Sequence, residues 1–253
     1  GDYDTVWADG VFNFGLSDKF AVKLNVAKHN QREGYFTNIN TGEDEGFNDY
    51  ESYGVNLLWN ATDAVEFEYT YQNEKTEQDT PPLVNMAQPG TLFCDAFGLC
   101  AQSLTTPSSG DRYRVGRLIF EPTTASLSPQ PNGIVTSPVA GLIPNDDPAT
   151  FDAETHILEA RWDISDSTRL NYIYGTYETQ ETIVSNWTAE PVMLFGTDRP
   201  AEYEQESHEL RLTYDAGDKL NFVVGAYLWE SQYDIRLRSW ITFAVPGVVL
   251  DIP

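Results

Sequence analysis

The sequence predicts an all-β protein, an antiparallel up-and-down transmembrane β-barrel, and three observations predict it. First, one pattern occurs four times: an alternating strand ends in an aromatic or large apolar residue, crosses a very short Asp-containing turn and alternates again. The four places are Phe14 to Phe20, Trp59 to Val65, Trp162 to Leu170 and Tyr214 to Leu220. Second, long polar stretches rich in Gly, Pro and Asn separate these turns. Short turns at one end, long loops at the other and aromatics beside the turns form the profile of a barrel whose outer face meets lipid. Third, the strands keep a period of two, which places one apolar and one polar face along each.

The strands are read in chain order. Val6 to Leu16 alternates imperfectly. After the first turn Phe20, Val22, Leu24 and Val26 share a face, with Lys23, Asn25 and His29 on the other. Glu51 to Trp59 again fits less cleanly. Val65, Phe67, Tyr69 and Tyr71 oppose Glu66, Glu68, Thr70 and Gln72. Leu158, Ala160, Trp162 and Ile164 oppose Glu159, Arg161 and Asp163, and Leu170, Tyr172 and Tyr174 oppose Arg169 and Asn171. Leu210, Leu212 and Tyr214 oppose Glu209, Arg211 and Thr213. In the last strand Phe222, Val224, Ala226 and Leu228 oppose Asn221. No apolar-face position in the six clean strands is charged, although 21% of the chain is. Eight strands in four hairpins result. The expected loops are 30–50, 73–152 and 181–204.

Alternating strands also build soluble sandwiches, whose apolar face packs inward. Strand length favours the membrane, because these strands reach the ~9–11 residues that a tilted crossing needs. Segregated loop lengths point the same way. So do the aromatics at the turn ends (Phe14, Phe20, Trp59, Phe67, Trp162, Tyr172, Tyr214, Phe222), placed as in an interfacial girdle.

A net charge of −24 excludes nucleic acid as a partner, since phosphates would find nothing to neutralise them. It equally disfavours peripheral attachment through basic residues. No segment approaches the ~20 apolar residues of a spanning helix. The sequence begins at Gly1 without a signal peptide.

Gly1-Asp-Tyr-Asp-Thr5, the alternating strand after it, Leu16-Ser-Asp-Lys-Phe-Ala-Val-Lys-Leu24 and Arg32-Glu-Gly-Tyr35 resemble the early barrel of TonB-dependent outer-membrane receptors. Ser207-His-Glu-Leu-Arg-Leu212, the turn, and Val224-Gly-Ala-Tyr227 are similar to mid-barrel strands of the same family. The resemblance covers nearly all strand regions and fails in the loops. It implies a bacterial outer-membrane location and a place in an importer of a scarce nutrient, such as a siderophore or other metal chelate, a cobalamin-like molecule or an oligosaccharide. It also implies TonB as partner, through an N-terminal plug that this sequence lacks, and outer-membrane lipid as surroundings. Against a family barrel of about 22 strands, residues 1–253 read as one barrel segment, roughly strands two to nine. A complete eight-stranded barrel is the rival. The alternative function is a binding or structural module, as a small barrel or a secreted soluble β-protein.

No enzymatic motif is present: there is no Walker A loop, His-Glu-x-x-His or Cys-x-x-Cys, and no cofactor or metal is expected. His156 and His208 occupy matching places in two similar strands. With one strand between them they would be about 10 Å apart, too far to share an ion. Glu66 and Glu68 read as lumen lining, and Glu43-Asp-Glu45 as a solvated run. Asn60-Ala-Thr62 and Asn186-Trp-Thr188 match the glycosylation pattern by coincidence. Cys94 and Cys100, the only cysteines, are expected to form a disulfide in an oxidising surface loop, worth about 2–3 kcal/mol in the chain-entropy view. Free thiols or a metal pair are the other states. Arg112, Arg114 and Arg117 belong to an expected strand within the same loop, Arg112 to Phe120, and suit either an anionic ligand or the loop's own carboxylates. Tyr35, Phe36, Trp187 and Phe195 are the aromatic candidates for substrate contact in the loops, suited equally to sugars and to aromatic siderophores.

Overall fold

A computed structural model describes residues 2–37, 44–79, 89–90, 127–130, 133–135, 148–186, 195–217, 219–241 and 250–252. Eight long strands dominate: β1 (Thr5–Ser17), β2 (Phe20–Gln31), β3 (Asn48–Thr62), β4 (Val65–Gln78), β5 (Ala149–Ser165), β6 (Thr168–Asn186), β7 (Phe195–Asp215) and β8 (Asn221–Ile235). Each pairs antiparallel with the next in sequence, so the sheet follows chain order. Arg238–Ile241 continues beyond β8 and pairs with the start of β7, and Leu250–Ile252 pairs with it in turn.

The four tight turns share one device. A side-chain oxygen accepts a hydrogen bond from the backbone N–H two residues on: Ser17 from Lys19 (3.2 Å), Thr62 from Ala64 (3.2 Å), Ser165 from Ser167 (3.4 Å) and Asp215 from Gly217 (2.9 Å). Short polar side chains make such turns because they replace a backbone acceptor locally. Register shifts at Gly15/Ser17, Asn60/Thr62 and Thr168/Arg169 supply bulges beside three of them. In the fourth, Gly217 has φ 66°, a left-handed conformation. Gly217→Val is therefore expected to cost about 1–2 kcal/mol. Gly15→Val, with open space around its Cβ position and no positive φ, should cost no more than a few tenths. Urea denaturation of the two variants in micelles distinguishes them.

Cross-strand pairing assembles the apolar positions into one continuous band. Val22 faces Leu57, Leu57 faces Tyr69, and Tyr69 faces Leu158. Leu158 then faces Tyr174, while one layer nearer the turns Ala160 faces Tyr172, Tyr172 faces Leu210 and Leu210 faces Ala226. Stacked rings close the band at the turn end, Trp59 on Phe67 (5.4 Å) and Tyr214 on Phe222 (5.2 Å). The face stays exposed: Trp59 and Trp162 are each 49% accessible, Leu210 46%. An apolar surface of this extent marks contact with lipid or with another protein. Buried Gln31, Ser52, Ala153 and Ala201 all belong to the opposite, polar face, as they would on the concave side of a curved sheet. Among the described residues, β1 and β8 each have a neighbour on one side only along these spans.

The expected turns at 16–20, 60–64, 164–168 and 215–219 lie where the sequence placed them. Antiparallel order puts the strand ends that lead into the three longer connections, Gln31 and Asn48, Gln78 and Ala149, and Asn186 and Phe195, at the other end. The loop ends need correction. The stretch 181–204 is mostly strand, with Glu181 paired to Ala201 and Asn186 to Gly196, and β4 and β5 likewise run on to Gln78 and back to Ala149. Backbone pairing needs no apolar alternation, so it continues past the apolar band, where the period of two fades. The connection after β2 holds a small strand pair, Phe36–Thr37 with Asp44–Glu45.

Candidate functional site

The polar face is organised in two layers. Near the turns lie ion pairs. Arg161 on β5 bonds Glu66 on β4 through Nη1 and Glu159 through Nη2 (3.2 Å). Arg169 grips Asp163 with both a 2.6 Å and a 3.3 Å bond, and Arg211 bonds Glu209. Register explains the clustering: Glu66 stands opposite Arg161, Arg169 opposite Asp163, and Glu68 opposite Glu159. Glu66 and Glu68, expected to line a lumen, lie together on the polar face, where Glu66 shares the Arg161 guanidinium with Glu159.

Further from the turns the same face carries aromatics. Tyr177, Tyr203 and Tyr233 follow one another across β6, β7 and β8. Their rings meet edge to face, with centroids 6.2 Å apart in the first pair and 6.3 Å in the second. The Tyr203 hydroxyl donates to Gln205 Oε1 at 2.8 Å. Tyr227 and Trp229 alternate in phase with Tyr233 on β8 and are exposed. Ser207 hydroxyl donates to the Gly175 carbonyl (3.4 Å), and Arg199 pairs with Glu181 (3.6 Å). Sequence reading missed this row because Tyr203 fell in an expected loop and Tyr177 in the polar phase of its strand. The available signal was aromatic residues in both phases of β8.

The other face holds a repeated arrangement at the end of the apolar band remote from the turns. Tyr69 hydroxyl lies 2.7 Å from His156 Nδ1, and His156 Nε2 lies 2.8 Å from Glu154. Tyr172 hydroxyl lies 2.7 Å from His208 Nδ1, and His208 Nε2 lies 3.0 Å from Glu206. A neutral imidazole protonated on Nε2 satisfies each set, the hydroxyl donating to Nδ1 and the ring to the carboxylate. The likeness of the two strands in sequence therefore encodes two Tyr–His–Glu chains at the polar edge of the apolar band. His156 and His208 do not meet: β6 runs between them.

Of the loop residues expected to contact substrate, Tyr35 has a described side chain. Tyr35 is exposed and packs edge-on against Tyr3, at 4.6 Å. Phe36 lies in the small strand pair and Phe195 opens β7, but their side chains are outside the described set. Trp187, Arg112, Arg114, Arg117, Cys94 and Cys100 lie outside the described residues altogether.

No protein-family model matches the sequence, and no curated protein matches it significantly. Solved structures do. The ferric yersiniabactin uptake receptor FyuA from Yersinia pestis is 14% identical, with TM-score 0.60 over 95% of this chain and 30% of its own. The ferric citrate transporter FecA is 11% identical, with TM-score 0.56 over 98% and 29%. The ferric-catecholate import receptor Fiu from K12 E. coli is 10% identical, with TM-score 0.55 over 98% and 33%. This chain thus spans about a third of the length of these TonB-dependent receptors. Its strand order, its continuous apolar face and these likenesses together give it the fold of the wall of an outer-membrane β-barrel receptor.

Proposed function

We propose that the chain is a contiguous sector of the barrel wall of a TonB-dependent importer in the bacterial outer membrane, taking up a scarce nutrient. The observation that carries this reading is a sheet with an exposed apolar band on one face and an ion-paired, aromatic-bearing polar face on the other. That two-faced sheet follows three nutrient receptors over 95–98% of the chain. The apolar band meets lipid and the polar face lines the path. Energy would come from the inner membrane through TonB, engaged by a plug lodged against this wall.

The test is fractionation and uptake with the intact protein that carries this sequence. It should sediment with outer membranes, change mobility on heating as barrels do, and lose nutrient uptake when TonB is deleted. Recovery in the soluble fraction would sink the proposal.

The expected disulfide is part of the same proposal, since a loop exposed outside the cell is in oxidising surroundings. Mass spectrometry without reduction should find the Cys94–Cys100 peptide lighter by the two thiol hydrogens. Rapid alkylation of both thiols in the native protein would exclude the bond.

A further inference from the structure

The row Tyr177–Tyr203–Tyr233 is the least conventional part of the polar face. A wall that only had to be wet would carry polar and charged side chains, as the same face of β4 does with Glu66, Glu68, Thr70 and Gln72. Instead three rings cross three successive strands in edge-to-face contact. Trp229 and Tyr227 extend the aromatic surface along β8, 56% and 60% exposed. Interlocked rings on paired strands make a rigid platform, and rigid aromatic area carries recognition at low entropic cost.

The polar groups around the platform decide what it can hold. Gln205, Ser207, Thr179 and Ser231 are neutral and lie on this face, in rows beside the rings. Charges are present but already matched. Arg199 is with Glu181, Arg211 with Glu209, and Arg169 with Asp163. Beyond β8, Arg236 and Arg238 are with Asp234 and Asp198. Every described arginine on these three strands and their extension has a carboxylate, so an anionic chelate arriving here meets no spare cation and several carboxylates. A neutral polyhydroxylated ligand meets a fitting surface: its C–H faces lie on the rings, and its hydroxyls reach amides, hydroxyls and carboxylate oxygens. Pockets for such ligands combine an apolar wall with a few placed polar groups.

We infer that the Tyr177–Tyr203–Tyr233 platform, with Trp229, binds a neutral oligosaccharide. The inference rests on the reading of this face as the wall of a substrate path, and it names the substrate class for that path.

The test uses the intact protein in detergent micelles, probed with a microarray of neutral and acidic oligosaccharides and, separately, with ferric citrate by calorimetry. Binding of at least one neutral oligosaccharide is expected, weakened about tenfold or more by Tyr203→Ala, as truncation of a central aromatic anchor does. Tyr203→Phe, which keeps the ring and loses only the bond to Gln205, should bind within about threefold of the parent. Heat-modifiable mobility of each variant separates lost binding from lost folding. Failure of every neutral oligosaccharide to bind, or binding that Tyr203→Ala and Trp229→Ala both leave unchanged, overturns the inference. So does tight ferric citrate binding that Tyr203→Ala abolishes, an outcome under which the import reading survives. Absence of the protein from the outer membrane would defeat the import reading itself and is read out independently by fractionation.

Discussion

Leu210→Arg is expected to destabilise the assembled protein by about 2–4 kcal/mol, the range for a cation near the middle of a barrel's lipid face. Leu210 lies inside the apolar band, four residues from the turn-end ring of Tyr214 and two from His208 in the Tyr–His–Glu layer, with Tyr172 and Ala226 as its cross-strand neighbours and 46% of its surface exposed. In a soluble sandwich an exposed position would accept the charge within about 0.5 kcal/mol. The control is Thr213→Arg, three residues on and on the polar face, which should be tolerated. Urea-driven unfolding from lipid vesicles measures both. Equal, small effects at the two positions would show that the apolar face does not meet lipid.

Removal of Arg161 has the second largest expected effect. Arg161 compensates Glu66 and Glu159, and Glu68 stands directly opposite Glu159 on the neighbouring strand. Arg161→Ala thus leaves three carboxylates on adjoining sites without the cation that bonds two of them, with only the field of Arg169 still reaching Glu66. Loss of one member of a fully buried pair costs 3–5 kcal/mol or so. These side chains are only partly shielded, 34% exposed for Arg161 and 30% for Glu66, so screening by water reduces the figure to about 2 kcal/mol. Added salt should recover part of it, because it screens like charges. Arg169→Ala removes a more exposed pair, 53% and 46% accessible, and should cost less than Arg161→Ala. A reversed order in urea denaturation would contradict the assignment of Arg161 as the wall's principal cation.

The Tyr–His–Glu chains show how a local pattern can be recognised without its partners. Thr155-His156 and Ser207-His208 match in sequence, and strand spacing already placed the two histidines too far apart to share an ion. In the sheet each histidine faces a tyrosine-bearing neighbour, Tyr71 across from His156 and Tyr174 across from His208. Each ring is then held by the tyrosine one layer nearer the turns. Only strand register supplies those partners.

What the sequence by itself determined were the features set by local chemistry. A period of two, imposed wherever one face meets lipid and the other water, located the strands and their faces. Ser17, Thr62, Ser165 and Asp215 located the turns, because each can close a turn within its own few residues. The tertiary structure decided what depends on neighbours distant in sequence. It showed that pairing continues through Glu181 to Asn186 and from Phe195 onwards, where backbone hydrogen bonds suffice and no alternation announces the strand. It likewise brought Tyr177, Tyr203 and Tyr233 into one row, and Glu66 to Arg161. A shift of one residue in register would move each of these side chains to the opposite face, so none of those contacts exists until the whole sheet has fixed its pairing.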